Sequence, residues 1–163
     1  MKTITPQLIE EVLDFLATGL GDVFKTMLAL ETEPASPHGW PAPRGTIIAA
    51  VVGFTGEVNG FVYLRVTAAF GRRLASRMLG MPEAELGGEE IVNDVVGELG
   101  NMIVGNVKSR LCDSGSRCVL TIPSIVRGND FSIEPVGSSD RRLAAFRCGG
   151  DMILLELMMK HSR

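Results

Sequence analysis

Between Leu8 and Leu28 apolar residues return every three or four positions, at Leu8, Ile9, Val12, Leu13 and Leu16, then Leu20, Val23, Phe24, Met27 and Leu28. That spacing lines them along one stripe of an α-helix. Thr5 stands where a cap is needed, and Pro6 fits the first helical position, where a missing N–H costs nothing. Gly19 and Gly21 weaken the middle of this helix, and a bend is expected there. Residues 31–45, with Pro34, Pro37, Gly39, Pro41 and Pro43, read as a loop. Residues 46–54 and 61–66 are β-rich runs joined by a glycine-bearing turn over 55–60, the mark of a hairpin. Thr67 is placed to cap a helix through Ala68, Phe70, Leu74 and Met78, which stops at Gly80 with Pro82 just beyond. An acidic link over 82–88 leads into a long helix from about 89 to 112. Short strands then follow at 117–125, 130–134, 141–148 and 151–160, with Gly149-Gly150 as the tight turn between the last two. Helix, hairpin, two helices and antiparallel strands together predict an α+β fold: a mostly antiparallel sheet with long helices packed on one face.

Size and composition narrow the function. The 163 residues suit one core, so residues 1–163 are read as a single domain. With 45% hydrophobic and 21% charged residues the chain is not intrinsically disordered. Lys plus Arg number 16 against 19 for Asp plus Glu, a net charge of −3, so no basic surplus exists to neutralise nucleic-acid phosphates. The longest apolar run, 47–54, falls far short of the ~20 residues of a membrane helix, and the first residues lack the apolar run of a secretory signal. A cytoplasmic protein is expected. Cys112, Cys118 and Cys148 are odd in number and form no C-x-x-C pair, so they read as buried small hydrophobes. His38 and His161, in a Pro/Gly-rich loop and near the C-terminal end, are poorly set for a metal or a triad, and no metal or cofactor of the chain's own is expected.

The long helix carries the chemistry. Val92, Val95, Val96, Leu99, Met102, Ile103 and Val107 share one broad face, the buried one. Opposite them Asp94, Glu98, Asn101 and Gly105 follow an i, i+4, i+7, i+11 ladder and fall within roughly 60° of arc, bordered by Gly97 and Lys108. Acids in the N-terminal half of a helix are favoured by its dipole and say little alone. Asn101 and Gly105 say more, because each costs about 0.5–1 kcal/mol against an exposed Ala or Lys in mid-helix. Such a strip is built to touch something, with Gly105 permitting close approach and the Asn101 amide both donating and accepting. A carboxamide has no useful pKa and cannot be a general base, but it can orient an attacking water, as the glutamine of GTPases does in phosphoryl hydrolysis. Glu98, one turn earlier, can pair with a cation on a partner. The strip holds no nucleophile and no phosphate cradle; Gly100-x4-Gly105 imitates half a P-loop, but Asn106 stands where lysine is required. The missing parts must arrive with a substrate protein. Two alternatives share the same residues: a non-catalytic docking helix, and a self-contained acid–base hydrolase using Asp94 and Glu98 as a carboxylate pair.

At these residues the chain resembles the CheX members of the CheC/CheX/FliY group of chemotaxis phosphatases. The group's motif, Asp/Ser-x3-Glu-x2-Asn on a long helix, is matched by Asp94, Glu98 and Asn101. The hairpin Val51-Val52-Gly53-Phe54-Thr55-Gly56-Glu57-Val58-Asn59-Gly60 and the segment Leu120-Thr121-Ile122-Pro123-Ser124-Ile125-Val126-Arg127-Gly128 are also similar to the family, and the resemblance covers nearly the whole chain. It implies hydrolysis of the phospho-aspartate of a CheY-like response-regulator receiver. It also implies that Asn101 orients the water and Glu98 engages the receiver's lysine; Asp94, Gly97 and Gly105 are read as supporting residues. Mg²⁺ would belong to the receiver, and a homodimer is implied. The non-catalytic alternative is a module of the same fold that docks on a receiver or flagellar switch. Relatives of the CheC type carry the motif twice; here Gly19-Leu20-Gly21-Asp22 can be aligned with Glu98-Leu99-Gly100-Asn101, which puts Gly19 and Asp22 at the two working positions and leaves that copy empty of both side chains.

Overall fold

Thr5 caps the first helix as its position requires, its Oγ1 accepting from the Leu8 N–H at 3.2 Å with Pro6 at the first helical position. The computed structural model describes residues 2–38 and 45–161. In chain order the elements are α1 (Pro6–Leu28), β1 (Glu33–Ala35), β2 (Ile47–Gly56), β3 (Gly60–Thr67), α2 (Ala68–Leu79), α3 (Glu89–Asp113), β4 (Cys118–Leu120), β5 (Ser124–Gly128), β6 (Ser139–Cys148) and β7 (Asp151–Lys160). α1 runs as one unbroken helix past Gly19 and Gly21. α2 is capped by Thr67 and ends at Gly80, whose φ of 65° is the left-handed conformation that stops a helix.

The strands form one antiparallel sheet in the order β1-β6-β7-β3-β2-β4, with β5 also paired to β2. The order reads as two copies of one unit, a helix, an edge strand and a hairpin. α1-β1-β2-β3 and α3-β4/β5-β6-β7 meet at β3 and β7, and each edge strand lies on the other unit's hairpin. Alternate residues of the central strands (Ile48, Ala50, Val52, Phe54; Val62, Leu64, Val66; Ile153, Leu155, Leu157, Met159) join one core with the apolar stripes of all three helices. The α+β architecture with helices on one face is the one expected.

Three local expectations are corrected. The loop at 31–45 holds a short edge strand, β1, in register with Ala145–Arg147 of β6; Gly39, Pro41 and Pro43 lie outside the described residues. The single strand expected at 117–125 is two, β4 and β5, both on β2. The break falls at 121–123, where Pro123 has no N–H for the ladder. Residues 130–134 are not a strand. Their alternation is real, since Phe131, Ile133 and Pro135 are half-buried while Ser132 and Glu134 are exposed. The segment instead lies against the far face of the sheet, with Phe131 stacked 5.4 Å from the Arg65 guanidinium, and finds no ladder partner. Beneath it Glu156, 1% exposed, is held by Arg65 at 3.0 Å and by Arg141.

Candidate functional site

α3 is fixed to the sheet at several points along its length. Near its middle, Gly100 faces Ala50, and a methyl added there would stand 3.1 Å from the Ala50 Cβ. Small residues on both sides let the helix settle close onto β2. Toward its start, Arg127 of β5 donates from Nε and Nη2 to the Asn93 Oδ1 at 3.1 and 2.8 Å, with the Glu89 carboxylate 3.8 Å away. Toward its end α3 packs on α1, where Gly19 abuts the Ile103 carbonyl and Asn106, and Arg110 stacks over Phe15 at 5.5 Å. Spacing along the sequence gave no sign of the Arg127–Asn93 clamp, since its partners are 34 positions apart.

So mounted, α3 turns the motif outward. Asp94 and Glu98 are exposed, and Asn101 and Gly105 are half-buried. Among the described residues none hydrogen-bonds to or ion-pairs with the side chains of Asp94, Glu98 or Asn101. A methyl at Gly105 would meet nothing within 4 Å beyond its own helix turn, so no packing inside the chain requires glycine there. The structure therefore brings Asp94, Glu98, Asn101 and Gly105 onto one accessible line. Gly97 is not part of it: it is buried, with Ile125 and Pro123 at 3.7 and 3.8 Å from where its Cβ would stand. Met102, placed on the buried face by its spacing, is only half-buried and packs against the edge of the core. Gly19, read from sequence as the empty counterpart of Glu98, has a packing role instead: a methyl there would stand 3.2 Å from α3.

Other reactive groups lie elsewhere. Cys118 and Cys148 are buried free thiols, and burial pushes both pKa values up, which keeps them protonated and unreactive. Cys112 is free and only half-buried. Tyr63, on the far face of the sheet, is also pushed up, by burial first and then by the Glu156 carboxylate. A groove of about 680 Å³, lined by Gly53, Phe61, Thr121, Val136 and Lys160 among others, includes no residue of the strip. Asp94 and Glu98 stand exposed on the helix surface, which weighs against a self-contained carboxylate pair. Among the described residues no three His, Cys, Asp or Glu side chains gather closely enough to hold a metal ion, and no helix is long and apolar enough to cross a membrane.

Comparison with known proteins identifies the family. The chain is 29% identical over 125 residues to the CheY-P phosphatase CheX of Thermotoga maritima, covering 72% of this chain and 78% of that one. Its fold superposes on the chemotaxis protein CheX of Vibrio vulnificus with a TM-score of 0.77 at 26% identity, covering 92% of this chain and 97% of that one. It also superposes on the CheX of Borrelia burgdorferi, solved in complex with CheY, BeF3 and Mg²⁺, with a TM-score of 0.71 at 24% identity, covering 94% and 97%. The family model for chemotaxis phosphatase CheX matches residues 48–147, a span that takes in most of β2, all of β3 and of α3, and most of β6. The chain belongs to the CheX family of chemotaxis phosphatases.

Proposed function

We propose that this chain hydrolyses the phospho-aspartate of a CheY-like response-regulator receiver. The observation that carries this reading is that Glu98 and Asn101, one turn apart on α3, face outward without an internal partner. In the reaction a water attacks phosphorus in line with the aspartyl oxygen; the new P–O bond forms from water, the P–O bond to aspartate breaks, and phosphate leaves with the water's proton lost to solvent. Asn101 accepts from that water and donates to a phosphoryl oxygen, so it positions without changing charge. Glu98 holds the ammonium of the receiver's active-site lysine and thereby fixes the helix over the site. Positioning of this order is worth several kcal/mol, at about 1.4 kcal/mol for each tenfold in rate. Mg²⁺ is the receiver's own, as the Borrelia burgdorferi complex suggests by carrying it together with CheY. Asp94 supports the strip from its N-terminal end. The working unit is a single-domain chain acting in the cytoplasm, as a homodimer.

The test mixes the protein with a phosphorylated receiver and Mg²⁺ and follows inorganic phosphate. Asn101→Ala is expected to lose at least ~100-fold in rate and Glu98→Ala at least ~10-fold, with folding unchanged and no activity on small phosphate esters. Equal rates for all three proteins would leave only the docking module.

A further inference from the structure

At the sheet edge beside the strip, the chain between β4 and β5 is pinned on both sides of one residue. Thr121 turns back on Gly53: its N–H donates to the Gly53 carbonyl at 2.8 Å, and its Oγ1 accepts from the Gly53 N–H at 2.8 Å. Pro123 packs against α3, its Cβ 3.8 Å from where a Gly97 Cβ would stand. Ile122 between them is driven outward and is 89% exposed, more than any other large apolar side chain described. A scattered surface apolar residue needs no explanation. This one adjoins the motif. Asn101 lies one turn beyond Gly97 and is rotated only about 40° from it, so the Ile122–Pro123 link lies about one helical turn from Asn101 along α3.

We infer that Ile122 is an apolar docking anchor for the receiver domain whose phosphorylated aspartate reaches Glu98 and Asn101; the inference rests on the function proposed above. The occupant follows from continuity. A globular partner that lowers a phosphoryl group onto Asn101 covers about 800 Å² of this surface. A patch of that area centred on Asn101 has a radius of roughly 16 Å and takes in the neighbouring link. Apolar contacts around a polar centre exclude water from it, and an anchor already fixed at both ends loses little freedom on binding. Val136 is almost as exposed, at 84%, but the groove it borders, which runs from Phe61 and Lys160 to Thr121, includes no residue of the strip.

The experiment titrates a receiver loaded with beryllofluoride and Mg²⁺ against wild type, Ile122→Asp, Ile122→Ala and Val136→Asp, and measures phosphate release at saturation with the same proteins. The expected result is a Kd raised about tenfold or more by Ile122→Asp and about threefold by Ile122→Ala. Val136→Asp stays within twofold of wild type, as does the saturated rate of every variant. Ile122→Asp binding as tightly as wild type, or losing saturated rate with its Kd unchanged, would overturn the anchor while leaving the phosphatase in place. A wild-type protein that neither binds nor dephosphorylates the receiver refutes the proposed function itself, and the anchor with it.

Discussion

α1 and α3 occupy equivalent places in the two units of the sheet, yet their glycines answer to different demands. Gly19 of α1 is buried where the two helices touch, and a methyl there would press on Asn106 and the Ile103 carbonyl at 3.2 Å. Gly105 of α3 looks onto open space. The first is explained by the fold. The second weakens the helix for nothing inside the chain, and it stands in line with an unpartnered carboxamide and carboxylate. What distinguishes α3 is thus the set of residues that the fold does not need, and those are the ones assigned to a partner.

Activity should separate the two helices most sharply. Glu98→Ala combined with Asn101→Ala is expected to lose at least ~100-fold in phosphate release and to be little worse than Asn101→Ala alone, because groups that act as one unit do not add. Asp22→Ala on the exposed face of α1 should stay within about twofold of wild type, since α1 carries neither the carboxylate nor the carboxamide of the proposed site. A large loss from Asp22→Ala would erase the distinction. Stability comes next. Gly19→Leu should cost ~2 kcal/mol or more by forcing the helices apart, read as a lowered denaturation midpoint. Gly105→Ala should do the reverse, gaining about 1 kcal/mol of stability while weakening receiver binding. If Gly105→Ala stabilised the protein and left binding untouched, close approach at that position would be wrong.

The smallest effect concerns pH and the far face. The folded-state pKa of Tyr63 is raised from 10, so its contribution to stability is complete below about pH 10 and is lost as pH climbs through the raised value. Tyr63→Phe should therefore flatten the fall in denaturation midpoint above about pH 10 and change little at pH 8. The raised thiols of Cys118 and Cys148 add losses of the same sign from about pH 9, so a remainder should persist in the variant.

Period and punctuation made the helices legible. Thr5-Pro6 and Thr67 mark true caps, Gly80 is a true stop, and the hairpin strands fall within a few residues of their expected ends. The outward strip could be read because Asn101 and Gly105 violate helix preference in a regular ladder. Other features depend on partners that no local pattern reveals. Alternation at Phe131 and Ile133 records half-burial on a sheet face, which looks the same as a strand until the missing ladder is seen. One run of β-formers became β4 and β5 because Thr121 substitutes a hydroxyl for a ladder contact just before Pro123. Gly97 seemed to border the strip, but its setting is made by Pro123 and Ile125, more than twenty residues downstream.

The most direct measurement is single-turnover decay of a phosphorylated receiver in the presence of Mg²⁺ and a saturating excess of this protein. Saturation removes differences in docking and leaves only what the bound helix does to the phosphoryl group. Wild type should speed the decay well above the receiver's own rate, and Asn101→Ala, still bound, should return it close to that rate. Equal acceleration by both proteins would contradict the assignment of the carboxamide to the attacking water.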